Sequence, residues 1–172
     1  KSTGVIDCSY SNAILTYTSN TTYYYATSSS GSGLLHTDKL NMGALAGENI
    51  ENAKISNSYT SGVVSGSANV SQSHSGGLVG LNNGSASVKS CYSMTDVVSG
   101  GTQNDGSSTF GGFVGHNNAT IANCYSTGNI ESTVNSMVGG FAGNNNNGGW
   151  WNNTSRTGIS GTWKAYMRLK IK

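Results

Sequence analysis

Proline is absent from the 172 residues, and charged residues make up only 9% of them. Such sparse charge, with a formal net charge of +2, disfavours nucleic-acid binding, which depends on clustered lysine and arginine. No apolar run is long enough to cross a membrane, and no helical i, i+3, i+4 stripe of useful length occurs. The sequence therefore predicts a protein without long helices, without a membrane span and without a nucleic-acid partner.

Residues that carry chemistry are also scarce. The chain has seven carboxylates and three histidines, and it contains no P-loop, zinc signature or calcium-binding repeat. Glycoside hydrolysis needs paired carboxylates. When the repeats are aligned, however, no position has a recurring acidic residue. We therefore expect no enzyme, no catalytic residue, no metal and no cofactor, with a polysaccharide-active β-helix enzyme as a remote alternative. We expect His36, His74 and His116 to lie in loops or on the surface.

The chain instead has one short motif written three times. Residues 76–80, 111–115 and 139–143 read GGLVG, GGFVG and GGFAG, and residues 42–47 form a looser fourth copy. A period of this size predicts stacked coils rather than a globule with one central core. The β-branched and aromatic residues around the motif favour strands over helices.

One segment of every repeat has a fixed length, whereas the loops vary. The two apolar anchors of each copy are nine positions apart: Ile55 and Val64, Val88 and Val97, Ile121 and Ile130. Val5 and Ile14 show the same spacing, which places Cys8 in the slot of Cys91 and Cys124. We therefore expect the chain to begin inside a repeat, either as part of a longer protein or as a trimmed mature form.

The fixed segment is expected to be a strand whose alternate residues face the interior. The inward set is Ser58, Thr60, Gly62 and Val64; Cys91, Ser93, Thr95 and Val97; and Cys124, Ser126, Gly128 and Ile130. In a straight strand, the first anchors Ile55, Val88 and Ile121 would face away from the interior. A bend at Asn57, Ser90 or Asn123 is therefore needed to turn both anchors of a copy inward.

These residues match a family pattern. Gly-Gly-Leu/Phe-Val-Gly-x-Asn, followed by Ile-x-Asn-Cys-Tyr-Ser-Thr-Gly-x-Ile, resembles the GLUG repeat of secreted bacterial surface proteins, and residues 111–130 match it most closely. The resemblance covers roughly residues 42–160 and the partial copy at 5–14, although residues 150–154 (WWNNT) replace the Cys-Tyr-Ser segment in the last copy. It implies a β-solenoid in an adhesin-like or protease-associated extracellular protein, and it supplies no catalytic residues.

The fold predicted from these features is all-β, a right-handed parallel β-helix (β-solenoid) of about five coils. The solenoid is expected over residues 1–160, followed by a capping strand or a joint to another domain at 161–172. Its parts are a partial copy at 5–14, an insertion at 15–38, and copies at 42–66, 76–100, 111–132 and 139–160.

The insertion is the candidate contact site, because long loops in compact folds are often functional. It contains four tyrosines, Tyr17, Tyr23, Tyr24 and Tyr25. Clustered tyrosines suit contact with protein or glycan, since an aromatic ring carries a polar tip. The alternative is an additional β-excursion that packs these rings on the side of the solenoid.

The three cysteines are expected to be small buried core residues, with a Cys91–Cys124 disulfide as the alternative. Six sequons become possible N-glycosylation sites if the source is a eukaryote. They are Asn20, Asn69, Asn83, Asn118, Asn152 and Asn153.

The function predicted from the resemblance is an extracellular cell-surface module that displays loops for adhesion to a host, matrix or glycan partner. The alternative is a structural stalk or a self-assembling filament subunit that associates end to end.

Overall fold

The computed structural model describes residues 4–19, 26–28, 31–33, 39–68, 72–100, 108–132 and 136–146. Within these ranges the regular structure consists of β-strands alone. Tyr23, Tyr24 and Tyr25 lie outside the described residues, as do the expected capping strand at 161–172 and the last copy beyond residue 146.

The strands follow one another in coils that repeat the same order. The first coil contains β1 (Val5–Asp7), β2 (Tyr10–Ser19), β3 (Ala26–Ser28), β4 (Gly31–Gly33), β5 (Lys39–Gly43) and β6 (Ala46–Asn49). The second contains β7 (Lys54–Ser56), β8 (Tyr59–Ala68), β9 (Gln72–Gly76) and β10 (Val79–Asn82). The third contains β11 (Ser87–Lys89), β12 (Tyr92–Gly100), β13 (Thr109–Gly111) and β14 (Val114–Asn117). The fourth contains β15 (Thr120–Ala122), β16 (Tyr125–Ser126), β17 (Ile130–Ser132), β18 (Met137–Gly139) and β19 (Ala142–Asn145).

Equivalent strands of successive coils pair in parallel and form four sheets. Sheet A is β1-β7-β11-β15, sheet B is β2-β8-β12 with β16 and β17, sheet C is β5-β9-β13-β18, and sheet D is β6-β10-β14-β19. Only β3 and β4 pair in antiparallel fashion among the described strands. Four coils stacked in this way form a parallel β-solenoid, which confirms the predicted fold class.

The register confirms the alignment of the anchors in three coils and corrects it in the first. Val88 pairs with Ile55 on one side and with Ile121 on the other. In the first coil, however, the partner of Ile55 is Ile6 rather than Val5. The placement of Cys8 in the slot of Cys91 is therefore wrong by one position.

The expected bend between sheets A and B is present in every coil. Cys8, Asn57, Ser90 and Asn123 occupy it with φ angles of 48°, 49°, 55° and 55°. A non-glycine residue seldom adopts this left-handed conformation, although asparagine is enriched there. The bend exchanges the inward and outward positions along the chain. Both anchors of each copy therefore point inward, as predicted.

The apolar core runs along the solenoid axis as columns of like residues. One cluster joins Ile55 and Val88 of sheet A with Leu78 and Phe113, which lie at the corner between sheets C and D. The rings of Phe113 and Phe141 in successive coils are stacked, with centroids 4.7 Å apart and planes 5° apart. A second cluster contains Val97, Phe110 and Ile130 between sheets B and C.

A row of buried asparagines closes the corner after sheet D. The side-chain amide of Asn49 donates to Asn82 Oδ1 at 2.8 Å, that of Asn82 donates to Asn117 Oδ1 at 2.7 Å, and that of Asn117 donates to Asn145 Oδ1 at 2.8 Å. The middle residue, Asn82, is fully buried. The asparagine row therefore links all four coils through charge-free hydrogen bonds in the interior.

We expect Asn82→Ala to lower the free energy of unfolding by about 3 kcal/mol, because it leaves a small cavity and removes the hydrogen bonds that the buried Asn82 side chain makes with Asn49 and Asn117. In a chain of this size that corresponds to a fall of roughly 10 °C in melting temperature, measurable by circular dichroism. Asn12→Ala, at an exposed position in β2, is the control and should melt like the wild type. Equal melting temperatures for Asn82→Ala and wild type would contradict the hydrogen-bonded row.

Candidate contact surface

The outer face of sheet B carries one tyrosine per coil at the same register position. Tyr59 pairs with Tyr10 in the coil before it and with Tyr92 in the coil after it, and Tyr92 in turn pairs with Tyr125. Each of these residues follows the inward slot that Cys91 and Cys124 occupy, so its side chain points outward. We call this row of four residues the tyrosine ladder.

The rings of the ladder are stacked nearly parallel. Successive centroids lie 5.5, 4.9 and 5.1 Å apart, with interplanar angles of 14°, 4° and 5°. Both faces of the Tyr59 and Tyr92 rings are therefore covered by neighbouring rings. The ladder presents ring edges and hydroxyl groups along its length, while one face of Tyr10 and one face of Tyr125 are not covered by another ladder ring.

The hydroxyl group of Tyr92 is neutral at physiological pH. Partial desolvation, together with the neighbouring Tyr59 and Tyr125, raises the pKa of Tyr92 above its usual value. Neutral phenols both donate and accept hydrogen bonds, and the edges of their rings carry partial positive charge. Tyr92 can therefore contact both donor and acceptor groups of a partner.

Further apolar side chains extend the surface beside the ladder. Met94 is 45% exposed, and Ile14 and Val98 are exposed on the same face. Two carboxylates share this face, Asp96 and Glu131, and Asp96 Oδ1 accepts a hydrogen bond from the backbone N–H of Asn129 at 2.7 Å. We call the ladder with these outward residues the sheet B face. Its chemistry suits contact by aromatic edges, van der Waals packing and hydrogen bonds.

The structure places the one described tyrosine of the predicted site away from the ladder. Tyr17 pairs with Gly66 and has the same parity as Leu15, which pairs with the buried Val64. It therefore points toward the inner side of the first coil, where it is 37% exposed.

Two of the six sequons are described: Asn83 is exposed and Asn118 is half-buried. Asn20, Asn69, Asn152 and Asn153 lie outside the described residues.

The cysteines follow two different patterns. Cys91 and Cys124 are buried free thiols in successive coils, which donate to the carbonyl oxygens of Lys89 and Ala122 at 3.1 and 3.2 Å. The hydrogen bond with Cys91, together with burial, raises the pKa of Cys124, so this thiol stays protonated. Cys8 is exposed, and the negative charge of Asp7 raises the pKa of its thiol, which lowers its reactivity.

The expectation that the histidines lie in loops or on the surface is wrong for His74. This residue lies in β9 and is only 6% exposed, because strands of the adjacent coils pair with β9 on both sides. His116 lies in β14 and is half-buried, and His36 lies outside the described residues. No group of three or more His, Cys, Asp or Glu side chains in the described part of the chain is arranged to hold a metal ion.

Reasoning from the sequence missed the tyrosine ladder, although a signal was present. Tyr59, Tyr92 and Tyr125 each stand one residue after the inward slot, and a recurring aromatic residue of outward parity predicts an exposed column. The predicted alignment of the first coil was shifted by one residue, so it did not match Tyr10 with these tyrosines.

Comparison with known proteins agrees with this architecture. The GLUG motif matches residues 106–131, which cover the second half of the third coil and the first half of the fourth. The chain is therefore a repeat protein that carries a GLUG motif. No curated protein and no solved structure matches it. The described residues include no helix of the length and apolarity needed to cross a membrane.

Proposed function

We propose, on the premise of a GLUG-motif repeat protein of the β-helix type, that this chain is an extracellular module that adheres to a partner through the sheet B face. The observation that carries the proposal is the tyrosine ladder, which lies on an outer face beside the exposed side chains of Met94 and Val98. Soluble proteins rarely expose contiguous apolar surface unless it serves a contact.

The composition of this face is typical of binding surfaces. Tyrosine and methionine are enriched at protein interfaces, whereas lysine and glutamate are depleted. A tyrosine ring supplies a large contact area at a low cost in conformational entropy, since it has two rotatable side-chain bonds. In the ladder that cost is lower still, because each inner ring is already held between two neighbours. The face is therefore preorganised for contact with protein or glycan.

The connection from sheet B to sheet C is the part of the repeat whose length varies most. The connection from sheet B to sheet C contains residues 20–38 in the first coil, interrupted by the β3–β4 hairpin, and residues 69–71 in the second. The corners before and after sheet A are short in every coil. In the proposed function the insertion adds contacts of its own, including those of Tyr23, Tyr24 and Tyr25, to those of the sheet B face.

We expect Tyr92→Ala to weaken adhesion at least tenfold, because it removes an inner rung and breaks the ladder into separate parts. The test is surface plasmon resonance of the full chain over immobilised extracellular-matrix proteins and neutral and acidic polysaccharides. Tyr17→Ala is the matched control, since it removes an equivalent ring that does not belong to the ladder. Its affinity should equal that of the wild type.

The two variants distinguish adhesion through the sheet B face from adhesion through another surface of the chain. Equal binding by Tyr92→Ala and wild type would move the contact away from the sheet B face. If the wild-type chain binds none of these surfaces, the adhesion proposal is wrong. Both variants should retain cooperative melting, so that a loss of binding is not a loss of folding.

A second candidate function, the end-to-end filament subunit, has an observation of its own. In the described structure, strands β1, β2 and β6 of the first coil pair on one side only, and Tyr10 at the end of the ladder is 69% exposed. An edge of this kind is a template for parallel pairing with another chain. Light scattering that shows mass growing with protein concentration would favour this function, whereas a constant monomer mass would exclude it.

A further inference from the structure

Two histidines of successive coils are in contact on sheets C and D, which are not part of the sheet B face. His74 in β9 and His116 in β14 have ring centroids 4.7 Å apart and ring planes tilted by 46°. His74 is 6% exposed, and His116 is half-buried. Two rings that can each take up a proton are therefore held against each other with limited access to water.

The strands packed against β9 bring positive charge to this point. Strand β5 carries Lys39, and β14 carries His116 itself. Strands β10, β13 and β19 have no titratable side chain, and the one on β8, Tyr59, belongs to the sheet B face. The carboxylate of β6, Glu48, accepts a hydrogen bond from the side-chain amide of Asn41 at 2.6 Å. None of the described strands packed against β9 therefore supplies a carboxylate that would balance a charge on its histidine.

The hydrogen bond of His74 does not balance a positive charge either. Its Nδ1 lies 2.7 Å from the hydroxyl oxygen of Thr109, which is its register partner in the third coil. A hydroxyl group is neutral, and it can accept a hydrogen bond from this nitrogen whether or not the other ring nitrogen carries a proton. A proton taken up by His74 therefore creates a buried charge without an ionic partner, which is costly.

The surroundings of His116 are uncharged as well. Its register partners are Leu81 in the second coil and Asn144 in the fourth. Its Nε2 lies 3.3 Å from the side-chain amide nitrogen of Asn146. Burial lowers the pKa of His116, and a hydrogen bond with Asn118, which favours the charged ring, offsets this effect only in part. His116 is therefore neutral at pH 7.

We propose that the contact between His74 and His116 is an acid-sensitive joint, which destabilises the stack of the second and third coils when the rings take up protons. His74 belongs to the second coil and His116 to the third. Two like charges at this separation repel each other, and each loses part of its hydration in the folded chain. Unfolding returns both rings to water. The joint depends on the stacking of the coils and not on the proposed function of the sheet B face.

The pKa values of the rings define the pH range of the effect. Burial, together with His116 and Lys39, lowers the pKa of His74 from 6.5 to about 4. The unfolded chain therefore binds a proton at this ring more tightly than the folded chain does. The stability that the neutral ring contributes is complete above pH 6.5, and it is lost as the pH falls to about 4. The lowered pKa of His116 acts in the same direction.

The test is urea unfolding of the full chain at pH 7 and at pH 5, followed by circular dichroism. Most carboxylates stay ionised at pH 5, because their ordinary pKa values are about 4. For His74 alone, pKa values of 6.5 in the unfolded chain and about 4 in the folded chain predict an unfolding equilibrium constant roughly 25-fold larger at pH 5 than at pH 7. We expect the wild-type chain to show an increase of at least about tenfold.

Two variants test whether this increase comes from the histidine contact. His74→Asn and His116→Asn copy the residues that the same register positions hold in a neighbouring coil, Asn41 and Asn144. His74→Asn should lose most of the increase, and His116→Asn should reduce it because the neighbouring ring is gone. His36→Ala removes the remaining histidine of the chain and is the control. It should respond to pH as the wild type does.

Cooperative unfolding at pH 7 verifies that each variant is folded, and either histidine variant can carry the test alone. Equal unfolding equilibrium constants of the wild-type chain at pH 5 and pH 7 would overturn the joint. A wild-type response in His74→Asn and His116→Asn would overturn it as well. So would a response that disappears only in His36→Ala, because the sensitivity would then lie outside the histidine contact.

Discussion

A Val97→Asp chain is expected to lose its cooperative thermal transition, or to melt at least 10 °C below the wild type. Val97 is completely buried between sheets B and C, where it packs against Phe110 and Ile130. Its backbone pairs with the second and fourth coils at Val64 and Ile130. A carboxylate there has no partner for its charge, and a burial of this kind costs about 4 kcal/mol or more.

The control for this prediction is the next residue in the same strand. Val98 has the opposite parity and is exposed on the sheet B face. The control variant is Val98→Lys, which should change the free energy of unfolding by less than about 1 kcal/mol, because its charge remains in water beside the register partner Glu131. Circular dichroism melts of the two variants measure the difference directly. A normal melt for Val97→Asp would show that the inner and outer faces of sheet B are assigned the wrong way round.

Gly112→Ala is expected to destabilise the chain by about 3 kcal/mol or more. Gly112 is the second glycine of the GGFVG motif, and its Cα faces the backbone of the next coil. A Cβ at this position would collide with the carbonyl oxygen of Gly140 and with Ser126 Oγ. Because neighbouring backbones cannot separate without breaking their hydrogen bonds, the strain cannot relax locally.

Gly66→Ala tests whether the effect of Gly112→Ala comes from the contact between coils rather than from the loss of any glycine. The nearest obstacle to a Cβ on Gly66 is Met42 Cε at 2.8 Å, the mobile end of a flexible side chain. This variant should therefore melt within a few degrees of the wild type. If both glycine variants melt alike, the coils do not approach each other as closely as the structure describes.

Several features of the fold follow from the sequence because they repeat. The nine-residue spacing from Val88 to Val97 fixed which strand positions are equivalent, and the register of sheets A and B confirms it. The need to bring both anchors inside predicted the bend, and Asn57, Ser90 and Asn123 adopt it with positive φ. A periodic sequence allows such inference, since each coil tests the alignment of the others.

The error in the first coil has a simple physical cause. Val5 and Ile14 are nine positions apart, but so are Ile6 and Leu15, and all four side chains are apolar. Spacing alone cannot separate these two alignments, although a shift of one residue exchanges the inner and outer faces of a strand. The backbone pairing of Ile6 with Ile55 decides between them.

The candidate site was less predictable than the fold. The insertion was predicted to be the contact site because of its length and its tyrosines. In contrast, Tyr59, Tyr92 and Tyr125 are far apart in the sequence and become neighbours only when coils stack. The same reason applies to His74 and His116, which come from different coils. A contact between coils depends on the register and on which way each bend turns the side chain, so residue type alone does not reveal it.

The measurement that tests this account most directly is nuclear Overhauser contact between the rings of the tyrosine ladder in the isotopically labelled chain. The stacked solenoid predicts ring-to-ring contacts from Tyr59 to Tyr10 and Tyr92, and from Tyr92 to Tyr125, since their centroids lie 4.9 to 5.5 Å apart. It predicts no contact between Tyr59 and Tyr125, which lie two coils apart. Missing contacts between successive rings, or contacts that skip a coil, would contradict the register on which the fold and the proposed adhesive face both depend.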